Sequence, residues 1–264
     1  MATALCFDSG IGGMAYLGRL RRLPMNWIYL ADNAYFPFGE KDSRELCERV
    51  CHVIGQALAM YPVRFVVLLC NTATVLALDE LRRRFPEQQF IGTVPAIKPA
   101  AAVSRRRKIA MLASRRTSQA DYVAKLHHRF AADCTLKAIN AAGLIRFIEE
   151  DWRPGPNLQA EQAAAEAMAP FVRPVLDSGA DQVVLGCTHF LHLKEEFRAQ
   201  LQAADPELEL CDSVSGIFHR LEELSLPRVA VQSGQADLLL LTQEGNQRWK
   251  YWAKYFGMEL RFLR

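Results

Sequence analysis

Residues 66–72 read Val-Val-Leu-Leu-Cys-Asn-Thr, and residues 183–189 read Val-Val-Leu-Gly-Cys-Thr-His. Each is a short apolar run that breaks at a cysteine followed by hydrogen-bonding side chains. One apolar strand ending in Cys is ordinary. Two of them, each with Thr beside the thiol, form a weak internal repeat. Both lie within an alternation of short apolar runs and longer amphipathic ones, which is the pattern of a βα repeat with a parallel sheet. In such sheets the loops beyond the carboxyl ends of the strands face the ligand crevice. Each cysteine therefore falls where chemistry is normally done.

Working outward from the first stretch, strands are predicted at residues 2–7, 26–30, 64–69 and 89–91, each followed by a helical segment. Asp42 and Ser43 offer an N-cap to a helix over 44–60, where Leu46, Val50, Val53, Ile54, Ala57 and Leu58 recur at helical spacing, and Pro62 stops it. After Pro95 and Pro99 a second series begins, with strands at 108–113, 135–139 and 182–185. The Pro154-Gly155-Pro156 turn inside it reads as a loop before a helix over 158–176. The tail, with strands near Glu209 and at 228–231 and a helix ending before Gly257, has no obvious sheet of its own and is expected to return to the first domain. The fold class is α/β, with two similar domains, each a mainly parallel sheet flanked by helices, and an active site in the cleft between them. The boundaries are 1–94 plus 210–264 for the first domain and 95–209 for the second.

Composition agrees with a small-molecule protein. A chain of 264 residues, half of them apolar, buries more core than one small domain needs. The net charge of +3 is too mild to demand an acidic polymer as partner. Arg82-Arg83-Arg84 and Arg105-Arg106-Arg107 read as solvated runs at helix ends rather than a nucleic-acid surface. The apolar run at 2–7 lacks a basic leader and breaks into glycines, so no signal peptide is expected, and no apolar stretch is long enough to span a bilayer. Seven scattered cysteines suit a reducing cytosol, and a cytoplasmic location is expected. Cys6, Cys47, Cys51, Cys134 and Cys211 read as buried free thiols. The Cys47/Cys51 spacing beside His52 lacks a second ligand cluster, so no metal is expected.

Cys70 and Cys187 suggest more than packing. Inverting a stereocentre without a cofactor needs one base to take a proton from one face and a conjugate acid to return one on the other. Cysteine suits both roles because thiol and thiolate are each accessible near neutrality. The segment Asp8-Ser9-Gly10-Ile11-Gly12-Gly13 follows the first strand, and its glycines permit a tight turn that exposes backbone N–H groups. It is neither a dinucleotide fingerprint nor a phosphate loop. Asp8 and Ser9 either face a small polar substrate or cap the helix that follows. Residues 32–39, DNAYFPFG, form a loop fixed by Pro37 and Gly39 that either approaches a ligand or simply turns.

Taken together, FDSGIGG (7–13), PFG (37–39), CNTAT (70–74), VPAIKPA (94–100) and GCTH (186–189) resemble the glutamate racemase family, with weaker echoes at Asp212-Ser213 and Ser233-Gly234. The resemblance covers nearly the whole chain. It implies two α/β domains with the site between them, no cofactor, and the interconversion of L- and D-glutamate that supplies peptidoglycan synthesis and so cell-wall biogenesis and cell shape. By the same resemblance Cys70 takes the α-proton of D-glutamate and Cys187 that of L-glutamate. Asp8, Ser9, Phe38, Gly39, Asn71, Thr72, Thr188 and His189 surround the substrate, with Asp8 and His189 tuning the thiols, and Thr117 adds a carboxylate contact. Three departures stand out: Phe38 replaces a usual Tyr, Phe190-Leu191 replaces Tyr-Pro, and Arg115-Arg116 interrupts a glycine-rich loop. A racemase for aspartate or a hydantoin would keep both thiols, and a catalytically silent binding protein would keep the cleft. A homodimer is left open.

Overall fold

The first apolar run forms strand β1 (Thr3–Asp8), followed by α1 (Met14–Leu20), β2 (Asn26–Ala31), α2 (Ser43–Met60), β3 (Phe65–Leu68), α3 (Asn71–Arg84) and β4 (Gln89–Gly92). Next come α4 (Ile97–Val103), β5 (Lys108–Ala113), the single turn α5 (Arg115–Ser118), α6 (Asp121–Phe130), β6 (Thr135–Asn140) and α7 (Ala142–Glu150). The chain continues through α8 (Leu158–Asp177), β7 (Gln182–Leu185), α9 (Lys194–Ala204), β8 (Glu209–Cys211) and α10 (Val214–Ser225). It closes with β9 (Leu238–Leu241), α11 (Gln247–Tyr255) and β10 (Glu259–Phe262). This computed structural model describes residues 2–155, 158–225 and 237–263. The strand expected at 228–231, Pro156 and the Ser233-Gly234 echo lie outside the described residues.

Local chemistry sets these boundaries. The Asp42 carboxylate accepts the N–H groups of Arg44 and Glu45 at 2.9 and 3.1 Å, an N-cap worth about 1 kcal/mol to α2. That helix buries Leu46, Val50, Val53, Ile54 and Ala57 against β-strand residues such as Leu5, Phe7, Val66 and Leu68. It ends at Tyr61, extended ahead of Pro62. Gly257, at φ 61°, supplies the left-handed residue just beyond α11.

The chain divides into two compact units, residues 1–93 with 214–264 and residues 94–213. The first holds a six-stranded sheet in the order β10-β9-β2-β1-β3-β4, and the second a four-stranded sheet in the order β6-β5-β7-β8. Every pairing is parallel. In each sheet the chain lays its second strand on one side of the first and its third strand on the other. Each sheet therefore reverses its winding beside its first strand, between β1 and β3 in one unit and between β5 and β7 in the other. Parallel sheets bind their ligands at such points.

One feature departs from expectation. The strand near Glu209 does not travel with the tail: β8 pairs with β7 and completes the second sheet. The tail instead extends the first sheet through β9 and β10, where Leu238–Leu241 lies against Ile28 to Ala31 of β2. The arginine runs lie at or just past helix ends and are largely exposed, as expected, and several of them pair with carboxylates. Arg83 and Arg84 bond Glu80, Arg84 also reaches Glu48, Arg106 bonds Asp205 and Glu207, and Arg107 pairs with Asp133. Among the described residues, no helix is long and apolar enough to cross a membrane.

Candidate active site

Cys70 stands two residues beyond β3 at the N-cap of α3, its carbonyl accepting the Thr74 N–H at 2.9 Å. The first-turn N–H groups and positive end of that helix gather at this position. Asp8 ends the neighbouring strand β1, and the register Phe7↔Leu68 continues into a bond from Leu69 N–H to the Phe7 carbonyl at 2.9 Å. Asp8 and Cys70 are thus brought to adjacent strand ends at the first sheet's switch point. The Asp8 carboxylate is fully buried and accepts from the Ser9 backbone N–H at 2.6 Å and the Ser9 hydroxyl at 3.3 Å.

Neither residue caps α1, because the turn over 9–13 intervenes and Gly13 is the N-cap, with no side-chain bond there. That turn packs so closely that a Cβ on Gly13 would fall 2.8 Å from Asp8 Oδ2 and 2.9 Å from both Leu69 Cβ and Tyr29 Oη. Only glycine fits. The Tyr29 hydroxyl fastens the turn from below by donating to the Gly10 carbonyl at 2.7 Å.

Asn71 and Thr72 occupy the first turn of α3, both buried. Phe38 lies in a 3₁₀ turn (Phe38–Glu40), its ring 6.0 Å from that of Phe7 and 6.4 Å from that of Tyr35. It belongs to the same apolar cluster as Cys70. The Phe38 ring is therefore core, and the loop's polar offering to a ligand is its backbone at half-buried Gly39. The root of that loop is fixed by Asp32, buried and accepting from Arg49 at 2.9 and 2.7 Å and from the Thr242 hydroxyl at 2.6 Å.

In the second unit, Cys187 again stands two residues beyond its strand, β7. Gly186 makes that exit possible: its N–H donates to the Leu112 carbonyl at 2.7 Å, and a Cβ there would meet the same oxygen at 2.8 Å. The expected helix N-terminus does not follow directly. Thr188–Leu193 is a 3₁₀ turn, and α9 begins only at Lys194.

The turn brings His189 back to the thiol. Cys187 Sγ lies 3.6 Å from His189 Nδ1, and His189 Nε2 lies 2.9 Å from Glu149 Oε2 at the end of α7. Both His189 and Glu149 are buried. Burial pushes the imidazole pKa down, but the hydrogen bonds and charges of Cys187 and Glu149 outweigh it and raise the pKa well above the ordinary histidine value. Thr188 is buried beside them. Ser114 and Thr117, at the end of adjacent β5, bond each other through their hydroxyls at 3.1 Å, and Ser114 caps α5 by accepting the Thr117 N–H at 3.3 Å.

Glu149 is the site residue that sequence reasoning missed. Within Glu149-Glu150-Asp151 nothing marks the first carboxylate as different from its neighbours. Of the other five thiols, all expected to be buried, Cys6, Cys51 and Cys134 are buried, whereas Cys47 and Cys211 are half-buried. Burial raises the pKa of Cys51 to about 12 and that of Cys211 to about 11, and it also raises those of Cys6, Cys47 and Cys134. None of the seven cysteines is in a disulfide. Among the described residues, no group of three or more His, Cys, Asp or Glu side chains is placed to hold a metal ion.

Each unit thus carries a strand-end thiol at its own sheet's switch point, Cys70 on the strand next to that of buried Asp8 and Cys187 joined through His189 to buried Glu149, and both are groups able to exchange protons. The family described as Asp/Glu/Hydantoin racemase matches residues 24–216, and the chain belongs to that family. Within it, the glutamate racemase of Pseudomonas aeruginosa is 36% identical over 232 residues, covering 87% of this chain and 84% of that protein. The glutamate racemase of Shewanella loihica is 35% identical over 243 residues, covering 91% and 88%. The crystal structure of Escherichia coli glutamate racemase with L-glutamate and the activator UDP-MurNAc-Ala superposes with a TM-score of 0.82 at 29% identity, covering 99% of this chain and 97% of that one.

Proposed function

We propose that this protein interconverts L- and D-glutamate without a cofactor, using Cys70 and Cys187 as opposed bases. The observation that carries the reading is the matched placement of the two thiols, each two residues beyond a parallel strand at its sheet's switch point. With L-glutamate bound, the Cys187 thiolate takes the α-proton and the Cys70 thiol gives a proton to the opposite face. The products are D-glutamate, a Cys187 thiol and a Cys70 thiolate. D-Glutamate reacts by the reverse transfer from Cys70. This requires the thiols to lie on opposite faces of one bound substrate.

The α-proton of an amino acid is weakly acidic, so the charge that develops on the α-carboxylate must be stabilised. Donors fixed around that carboxylate act most strongly where water is excluded. Ser9, Asn71, Thr72, Thr188 and the Gly39 backbone at the Phe38 turn fit that role, with Thr117 a further carboxylate contact. Asp8 is the partner of Cys70. His189, bonded to Glu149, faces the Cys187 sulfur and is the partner that tunes that base. The reaction supplies D-glutamate to peptidoglycan synthesis from the cytoplasm. Replacing Cys70 or Cys187 with Ser tests the reading directly: each variant is expected to lose inversion while remaining folded, and a variant that keeps the parent rate removes that residue from the mechanism.

A further inference from the structure

We propose that Trp152 and His192 are a positioning pair for the Cys187 half of the site, locking α7 against the 188–193 turn so that Glu149 stays on His189 and His189 on the thiol. The inference rests on the reading of Cys187 as a catalytic base.

The geometry is a ladder with two rungs. The first is the Glu149–His189 bond at 2.9 Å, and the second is the Trp152–His192 ring contact, with centroids 5.3 Å apart and planes tilted by 46°. On the α7 side the rungs are three residues apart. Trp152 lies just past the helix, but its N–H bonds back to the Phe147 carbonyl at 3.0 Å, which pins it to the last turn. On the other side His189 and His192 are also three residues apart, in a 3₁₀ turn. With three residues per turn, side chains at i and i+3 eclipse and stand about 6 Å apart along the axis. Both pairs therefore share one register.

The ring contact one turn away adds a second fixed point to the Glu149–His189 bond, so α7 and the turn cannot shift past each other without straining both rungs. The indole suits the task because it is large, rigid and buried. Proton transfer is the step that feels the difference, since misplacing a reacting group by about 1 Å costs on the order of 100-fold.

The test compares Trp152→Ala, His192→Ala and the ring-preserving Trp152→Phe with the parent protein. Cys187 removes the proton from L-glutamate and returns it to the intermediate formed from D-glutamate, so the primary deuterium isotope effect on kcat/KM is expected to rise for α-deuterated L-glutamate and to fall for the D-enantiomer. kcat is expected to fall about tenfold with KM little altered, and Trp152→Phe to recover most of the loss. As a readout independent of turnover, the His189 titration midpoint followed by NMR is expected to fall in Trp152→Ala. Equal isotope effects for both enantiomers, or an unmoved His189 midpoint, overturn the proposal. Cys187→Ser separates the two levels of inference. If it racemises at the parent rate, the two-base reading fails and the pair falls with it. If it is inactive while Trp152→Ala shows neither change, the pair alone is wrong.

Discussion

Glu149 Oε2 lies 2.9 Å from His189 Nε2, joining two buried residues 40 positions apart in the chain within one unit. This contact fixes which way the imidazole faces and, with the thiol on the other ring nitrogen, raises its pKa. Glu149→Gln preserves shape and removes the charge. The His189 pKa is then expected to fall, and kcat for L-glutamate to drop about 100-fold, the scale of a single proton-transfer group. Steady-state kinetics across pH checks it.

The same histidine sets a pH dependence of stability. Its folded-state pKa lies above the unfolded value, so the folded state holds that proton more tightly. The stabilisation is fully present below the unfolded pKa of about 6.5 and is lost as pH rises through the folded value. The thermal midpoint of the parent should therefore fall more steeply on the alkaline side than that of Glu149→Gln. Calorimetric scans from neutral to alkaline pH measure the difference.

Gly13→Ala should be poorly tolerated. Its Cβ would enter contacts of 2.8 and 2.9 Å with Asp8, Leu69 and Tyr29, none of which is an exposed flexible end. Overpacking of this kind costs about 1–3 kcal/mol. Denaturant melts should show that loss, together with reduced turnover as Asp8 is displaced.

Arg49→Ala should destabilise the first unit by about 3 kcal/mol, because it leaves the buried Asp32 carboxylate without its two guanidinium bonds. Asp32 anchors the loop that presents Gly39, so KM for glutamate should rise as well. Urea unfolding and substrate saturation curves test the two parts separately.

Much of this could be read before any coordinates. The apolar runs at 108–113 and 182–185 coincide with β5 and β7, and Asp42 caps α2 as its position ahead of an amphipathic stretch implies. Four leucines at 238–241 carry no alternation, so a buried parallel strand there could not be told from a helix segment. For Asp8 and Ser9 capping stayed open as an alternative, because the glycines that permit a turn do not show where α1 begins. Glu149 and Trp152 were hidden for a different reason. Their partners, His189 and His192, meet them only through tertiary packing, and an acidic helix end is ordinarily solvent-facing.

The central claim is tested most directly by incubating the purified protein with L-glutamate in deuterated water, with no added metal or cofactor, and following both optical activity and the α-position by NMR. The two-base account predicts that optical activity decays to zero while the D-glutamate formed carries deuterium at Cα, and that Cys70→Ser and Cys187→Ser each lose inversion. Persistence of the L-enantiomer, or inversion that survives the loss of either thiol, would contradict it.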